Sequence, residues 1–145
     1  MRKIELFTTD GVKVGEFTSM NAIAEIADAL PENLDVSPMR SHKKQELSDA
    51  TDLYFYSQAK LHGGYLNMGE IVHDAGEGDP DAQFLLKLYD AIWEKEEELE
   101  NQIDSMSLEE LLNLNIEAWV KPLYDQIVAE LENAADSTTN NTSEG

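Results

Sequence analysis

Between Asp79 and Met106 the chain spells out one long amphipathic helix, and this element constrains the fold more than any other. Asp79 is an N-cap residue type, and Pro80 follows at the first helical position, where a missing N–H costs nothing. Leu85, Leu88, Ile92, Leu99, Ile103 and Met106 then recur at intervals of three, four and seven, as one stripe of a 3.6-residue period. A stripe this long must be covered, so the remaining segments have to supply layers that lie on it. The same region is acidic, with eight Asp or Glu and one lysine from Ile92 to Leu112. Glu94, Glu97, Glu98 and Glu100 fall off the stripe and are expected in water.

The segments before it predict a hairpin and shorter helices. A three-residue loop, Thr9-Asp10-Gly11, puts Ile4, Leu6, Val12 and Val14 on one face, with Gly11 in the left-handed position. The two-residue alternative is disfavoured because it sets Glu5 opposite Glu16. A lone hairpin is marginal, so its apolar face must rest on helices. The first helix is expected from Ser19 or Asn21, burying Ile23, Ile26, Ala27 and Leu30 and stopping before Pro31. Glu32 to Gln45 has Pro38, no periodicity and three basic residues (Arg40, Lys43, Lys44), and residues 32–47 are expected as a mobile loop of a length that often serves function. A helix from Ser48 to Leu61 ends at Gly63-Gly64, with a short strand over Leu53 to Tyr56 as the alternative. Asn67 and Glu70 form a capping box, with Leu66 stapled to Ile71, for a helix closing at Gly76.

Ser107 and Glu110 form another capping box, opening SLEELLNLNIEAWV. Pro122 is expected to break or restart that helix, leaving Leu123, Ile127, Val128 and Leu131 as a last apolar face. The reading is α+β and mainly α: an N-terminal β-hairpin (3–17) packed on a bundle of about four to five helices in a single globular domain, 1–132. Residues 133–145, low in apolar side chains, are expected as a disordered acidic tail.

Charge is the extreme property, thirty acidic residues against ten basic in 145, a net −20. Residues 1–69 carry ten acids and seven bases (net −3) and residues 70–145 carry twenty and three (net −17). Such a surface repels nucleic acid and anionic membrane and steers basic partners toward itself. Cysteine is absent, so disulfides and thiol nucleophiles are excluded. No stretch approaches the roughly 18 apolar residues of a spanning helix and no apolar run precedes Asp10, so a cytoplasmic location is expected. The triplets at Asn140/Thr142 and Asn141/Ser143 read as chance matches to the glycosylation pattern.

No catalytic or cofactor motif occurs, and neither enzyme activity nor a cofactor is expected. Glu70 and His73 share the E-x-x-H spacing of carboxylate-bridged metal sites, but the pattern occurs once where such sites need it twice, so no metal is expected. The loop DAGEGDPD, Asp74 to Asp81, has glycine where calcium ligands belong and reads as caps and turns. His42 and His62 show no partner in register. The expected partner-binding residues are Trp93, Trp119, Leu123 and Tyr124, the last three as an exposed patch around Pro122, together with Glu94, Glu97, Glu98 and Glu100. Leu85, Ile92, Leu99 and Met106 recur every seven residues, which permits self-association, although Lys95 and Gln102 interrupt the other half of the heptad.

The segment GDPDAQFLLKLYDAIW, Gly78 to Trp93, resembles small tail-associated and virion accessory proteins of bacteriophages. The resemblance implies a helical piece that docks on another phage protein, in the particle or as an assembly chaperone. The alternative is a DNA mimic that inhibits a basic nucleic-acid-binding protein, of the anti-restriction or anti-CRISPR type. Duplex DNA carries about one charge per 1.7 Å. Eight acids over 21 residues, at a rise of about 1.5 Å per residue, give roughly one per 4 Å. A mimic therefore needs a second acidic row from Glu109, Glu110, Glu117, Asp125 and Glu130, on a helix packed beside the first.

Overall fold

The computed structural model describes residues 3–144, with side chains through Ala134. Strands β1 (Ile4–Phe7) and β2 (Lys13–Phe17) form the hairpin. Helices α1 (Met20–Glu25), α2 (Ser37–Leu61), α3 (Met68–Gly76), α4 (Pro80–Asp104), α5 (Leu108–Asn113) and α6 (Ile116–Glu144) follow, with a 3-10 turn at Ala27–Ala29. The six helices exceed the expected four to five because the chain breaks at Leu114-Asn115.

Helix α4 is the centre, packed on α2, α3 and α6. Its predicted stripe is the core as far as Ile103: Leu85, Leu88, Ile92, Leu99 and Ile103 are all essentially inaccessible, and burying each contributes about 1.5–3 kcal/mol, while Met106 lies past the helix end and is half-buried. Asp79 caps it as the sequence indicates, accepting from the Ala82 N–H at 2.9 Å.

The hairpin combines both registers. Thr8 N–H donates to Val12 O and Gly11 N–H to Thr8 O, closing the three-residue loop with Gly11 at φ +88°. Phe7 then faces Lys13, but Val14 is an extra residue, and the bulge brings Glu5 opposite Glu16 and Ile4 opposite Phe17. Lys13 lies within reach of both carboxylates and Lys3 of Glu16, which offsets the like-charge pairing. Ile4 and Leu6 are buried and Val14 half-buried, while Val12, at the loop, is exposed rather than core-facing. The first helix is shorter than expected: Ser19 caps it through Ala22 N–H, but the chain tightens into the 3-10 turn and Ile26 is exposed.

Of residues 32–47, expected as a mobile loop, only 32–36 lie outside a helix, and 37–47 are the start of α2. Thr9 N–H donates to Asn33 O and Asp35 N–H to Phe7 O, tying 33–35 beside the hairpin. Helix α2 starts at Ser37, whose N–H donates to the Asp35 carboxylate at 2.9 Å, and Pro38 sits in its first turn, where proline is tolerated. The three basic residues are its attachments: Arg40 donates to Met106 O (2.9 Å), Lys43 to Leu114 O (2.7 Å), and Lys44 pairs with Asp104 (2.5 Å). All three meet the C-terminal ends of α4 and α5, where free carbonyls and the helix dipole favour cations. Leu53 to Tyr56 are helical, and the Gly63-Gly64 stop holds; a Cβ at Gly63 (φ +92°) would lie 2.7 Å from the Tyr65 ring.

Asn67 caps α3 by accepting from Glu70 N–H, but Leu66 is 80% exposed and staples nothing. The Ser107–Glu110 capping box is present on α5. That helix ends at Asn113, and Asn115 caps α6 by accepting from Ala118 N–H at 3.1 Å. Pro122 therefore lies inside α6 instead of breaking it; the carbonyl it cannot serve, on Ala118, belongs to an exposed residue open to water. Helix α6 runs through the boundary expected at 132 to Glu144, and no proline or glycine interrupts 123–144. The tail expected over 133–145, with the Asn140 and Asn141 triplets in it, falls almost wholly outside the residues whose side chains are described. No helix among the described residues is long and apolar enough to cross a membrane.

Candidate protein-docking face

Helices α4 and α6 lie side by side, and their carboxylates converge on shallow grooves with apolar floors. Glu94 and Glu98, one turn apart on α4, and Glu130 on α6 border a groove of about 260 Å³ floored by Ala91, Ile127 and Leu131. Lys95 joins this rim, its ammonium 3.3 Å from Glu98. Glu98 also borders a second depression of about 460 Å³ with Met106 on its wall and Glu110 of α5 on its far side. Glu94, Glu97 and Glu98 are exposed as expected, and Glu100 is half-buried.

The second acidic row is only partly assembled. Glu110 and Glu130 join the α4 acids. Glu117 lies on the α2–α6 side, and Asp125 accepts from the Tyr54 hydroxyl at 2.7 Å and pairs with Lys121 at 2.9 Å. The Lys121 ammonium and then the Tyr54 hydroxyl hold the Asp125 carboxyl below its ordinary range.

The aromatic residues divide. Trp93 is half-buried and stacked on Tyr89, with ring centroids 4.9 Å apart, and Tyr89 meets Phe55 edge-on at 5.4 Å. The patch expected around Pro122 is not a surface: Tyr124 is fully buried, and Trp119 and Leu123 are half-buried against the core. The reason is the uninterrupted α6, which turns Tyr124 inward to Thr51 of α2, hydroxyl to hydroxyl at 2.7 Å. Thr51 already donates to Leu47 O, so Tyr124 is the donor of that pair. Burial pushes the Tyr124 phenol up to about 12.

Sequence reasoning missed Glu96. It occupies the core stripe of α4 at 7% exposure, in the seven-residue gap between Ile92 and Leu99, and that gap was the available signal. Burial first, then the charges of Glu100 and Asp52, raise its carboxyl to about 7.

Elsewhere, Asp74 and Asp79 both accept from the Tyr65 hydroxyl (2.6 and 3.1 Å), so the DAGEGDPD segment is used for caps and turns. Both histidines have partners after all: His42 meets Glu46 at 2.8 Å, and His62 lies on the Phe84 ring at 4.6 Å with the carboxylates of Asp81 and Glu132 at 3.8 and 3.9 Å. Glu70 and His73 are both exposed, and no group of three or more metal-ligating side chains occurs among the described residues. In the Gly78–Trp93 segment, Asp79 is the cap and Ala82, Leu85, Leu88 and Ile92 are core, which leaves the half-buried Phe84, Tyr89 and Trp93 as its aromatic edge. Among known proteins, no family model, curated sequence or solved structure matches this chain.

Proposed function

We propose that this chain is a non-enzymatic interaction protein that docks on a basic protein partner through the α4–α6 face. The observation that carries the reading is the groove in which Glu94, Glu98 and Glu130, with Lys95 as the one cation among them, surround Ala91, Ile127 and Leu131. Carboxylates around an apolar floor suit a partner that buries an aliphatic or aromatic side chain between Lys or Arg residues: the apolar contact supplies affinity and the charges supply rate and orientation. The resemblance of Gly78 to Trp93 to phage tail and virion accessory proteins gives this reading its biological setting, an adaptor or assembly chaperone.

The second reading, a DNA mimic, is favoured by Glu98 and Glu110 facing one depression from two helices. It is weakened by Glu96 in the core, Asp125 paired with Lys121, and Glu117 on another side. Capture of partners on tagged protein, eluted first with salt and then with mild denaturant, separates the two. An adaptor partner is expected to survive the salt step and leave in denaturant. Nucleic-acid enzymes released by salt alone contradict the adaptor and support the mimic, because phosphate-like binding weakens steeply with ionic strength.

A further inference from the structure

Helix α6 is the last element of the bundle, joined to α5 through the break at Leu114-Asn115 and packed on α2 and α4. Its two halves are held differently. Ile116, Val120 and Tyr124 are buried, but from Asp125 to Ala134 the core contacts come from the partly buried Ile127, Val128 and Leu131. A segment with so few buried contacts belongs to the low-stability end of a fold and opens before the rest. Two titratable groups, on two other helices, meet it.

The first is His62, at the C-terminal end of α2. Its Nδ1 lies 3.8 Å from Asp81 Oδ1 in the first turn of α4, and its Nε2 lies 3.9 Å from Glu132 Oε1 of α6. Both ring nitrogens thus face carboxylates, which only accept. A neutral imidazole carries one N–H and sets its other nitrogen, a lone pair, against an anion; the imidazolium points a donor at each and links three helices at once.

The second is Glu96, buried where the same three helices meet. Asp52 of α2, Glu100 of its own helix and the Tyr124 phenol of α6 face it, and no Lys, Arg or His pairs with it among the described residues. Tyr124 gives its proton to Thr51, so it offers Glu96 no donor. A proton on Glu96 therefore removes a desolvated charge from beside α6, and a proton on His62 adds an attraction to α6. The two act in the same direction. The Glu96 carboxyl, raised to about 7 by burial first and then by Glu100 and Asp52, loses its proton as pH rises through 7, and histidine side chains change charge between about pH 5 and 8. The other link from α2 to this stretch, the Tyr54 hydroxyl to Asp125, does not titrate there: burial and then the Asp125 bond push the phenol up, and Lys121 holds the carboxyl down.

We propose that the second half of α6 is a proton-controlled arm, seated on α2 and α4 while His62 is charged and Glu96 neutral, and lifting off when both protons leave. Because this stretch supplies Ile127, Glu130 and Leu131 to the α4–α6 groove, lifting it dismantles that groove. The arm needs no partner, so its test stands apart from that of the docking reading.

Hydrogen–deuterium exchange of the full chain, read by mass spectrometry at two pH values and corrected for the intrinsic exchange rate at each, measures the opening of each element. Protection over residues 125–134 is expected to fall about tenfold between about pH 6 and pH 8, while that of α3 and the hairpin changes less than about twofold. Glu96→Gln is expected to remove most of the fall, and Glu132→Gln, at an exposed position, a smaller part; the double variant is expected to show none. Circular dichroism checks that each variant keeps its helices. The proposal is overturned if protection over 125–134 does not change with pH, if it falls equally in every element, which makes the event global unfolding, or if the full fall survives in the double variant.

Discussion

Helices α2 and α4 are each 25 residues long and pack against one another, yet they treat the polar side chains on their buried stripes in opposite ways, Arg40 Nε of α2, buried without a hydrogen-bond partner, lying off that stripe. Helix α2 buries Lys43 and Thr51, and both are satisfied: Lys43 by Leu114 O, with Glu46 at 3.6 Å, and Thr51 by Leu47 O and Tyr124. Helix α4 buries Glu96, whose carboxyl makes no hydrogen bond or ion pair among the described residues and whose charged neighbours, Glu100 and Asp52, share its sign. The bonds from Lys43 to Leu114 O and from Tyr124 to Thr51 fix where α5 and α6 dock on α2, since each ends on α6 or on the joint between the two. Burial and the like charges of Glu100 and Asp52 disfavour the charged form of Glu96.

The comparison breaks most sharply at Lys43. Lys43→Ala removes a charged donor from a half-buried carbonyl together with its packed stem, and is expected to cost about 2–3 kcal/mol in urea unfolding. A loss below about 1 kcal/mol would show that the pairing is incidental.

Glu96→Gln is expected to act in the opposite direction. With its folded value raised from 4.5 to about 7, Glu96 contributes stability that is fully present below pH 4.5 and lost as pH rises through 7. The glutamine variant is therefore expected to be more stable than wild type by about 2–3 kcal/mol at pH 8, with the gap closing towards zero as pH falls below 4.5. Equal stabilities at pH 8 would remove the contrast between the helices. Tyr124→Phe, which deletes the donor to Thr51 and leaves the ring in place, is expected to cost about 1 kcal/mol in the same assay. Leu53→Asp, on the exposed side of α2, is expected to shift stability by no more than about 0.5 kcal/mol, since nothing covers it.

The same two helices show why one was legible in the sequence and the other was not. The stripe of α4 is aliphatic except at Glu96, and an Asp side chain caps its start, so period and boundary both stand out. The buried positions of α2, Met39, Lys43, Leu47, Thr51, Phe55 and Ala59, are spaced by four, and two of the six are polar. Hydrophobic periodicity cannot register a stripe whose members are held by hydrogen bonds, and three clustered basic residues look like a solvated loop until the carbonyls they meet are known. The hairpin register is hidden for a comparable reason: two loop lengths fit the pattern, a bulge at Val14 reconciles them, and bulges carry no strong sequence mark. On the candidate face, the exposure of Glu94, Glu97 and Glu98 followed from their place off the stripe. The grooves did not, because they depend on which helices lie beside α4.

The central functional claim is that the acids of the α4–α6 face form the rims of a binding groove and do more than keep the chain in solution. The most direct measurement is partner capture by the wild-type chain and by the triple variant Glu94→Lys/Glu98→Lys/Glu130→Lys, with circular dichroism as the check on folding. All three positions are exposed, so the fold is expected to hold. Loss of the captured protein from the variant, with the helical spectrum intact, is the predicted result; equal capture by both chains would contradict the account.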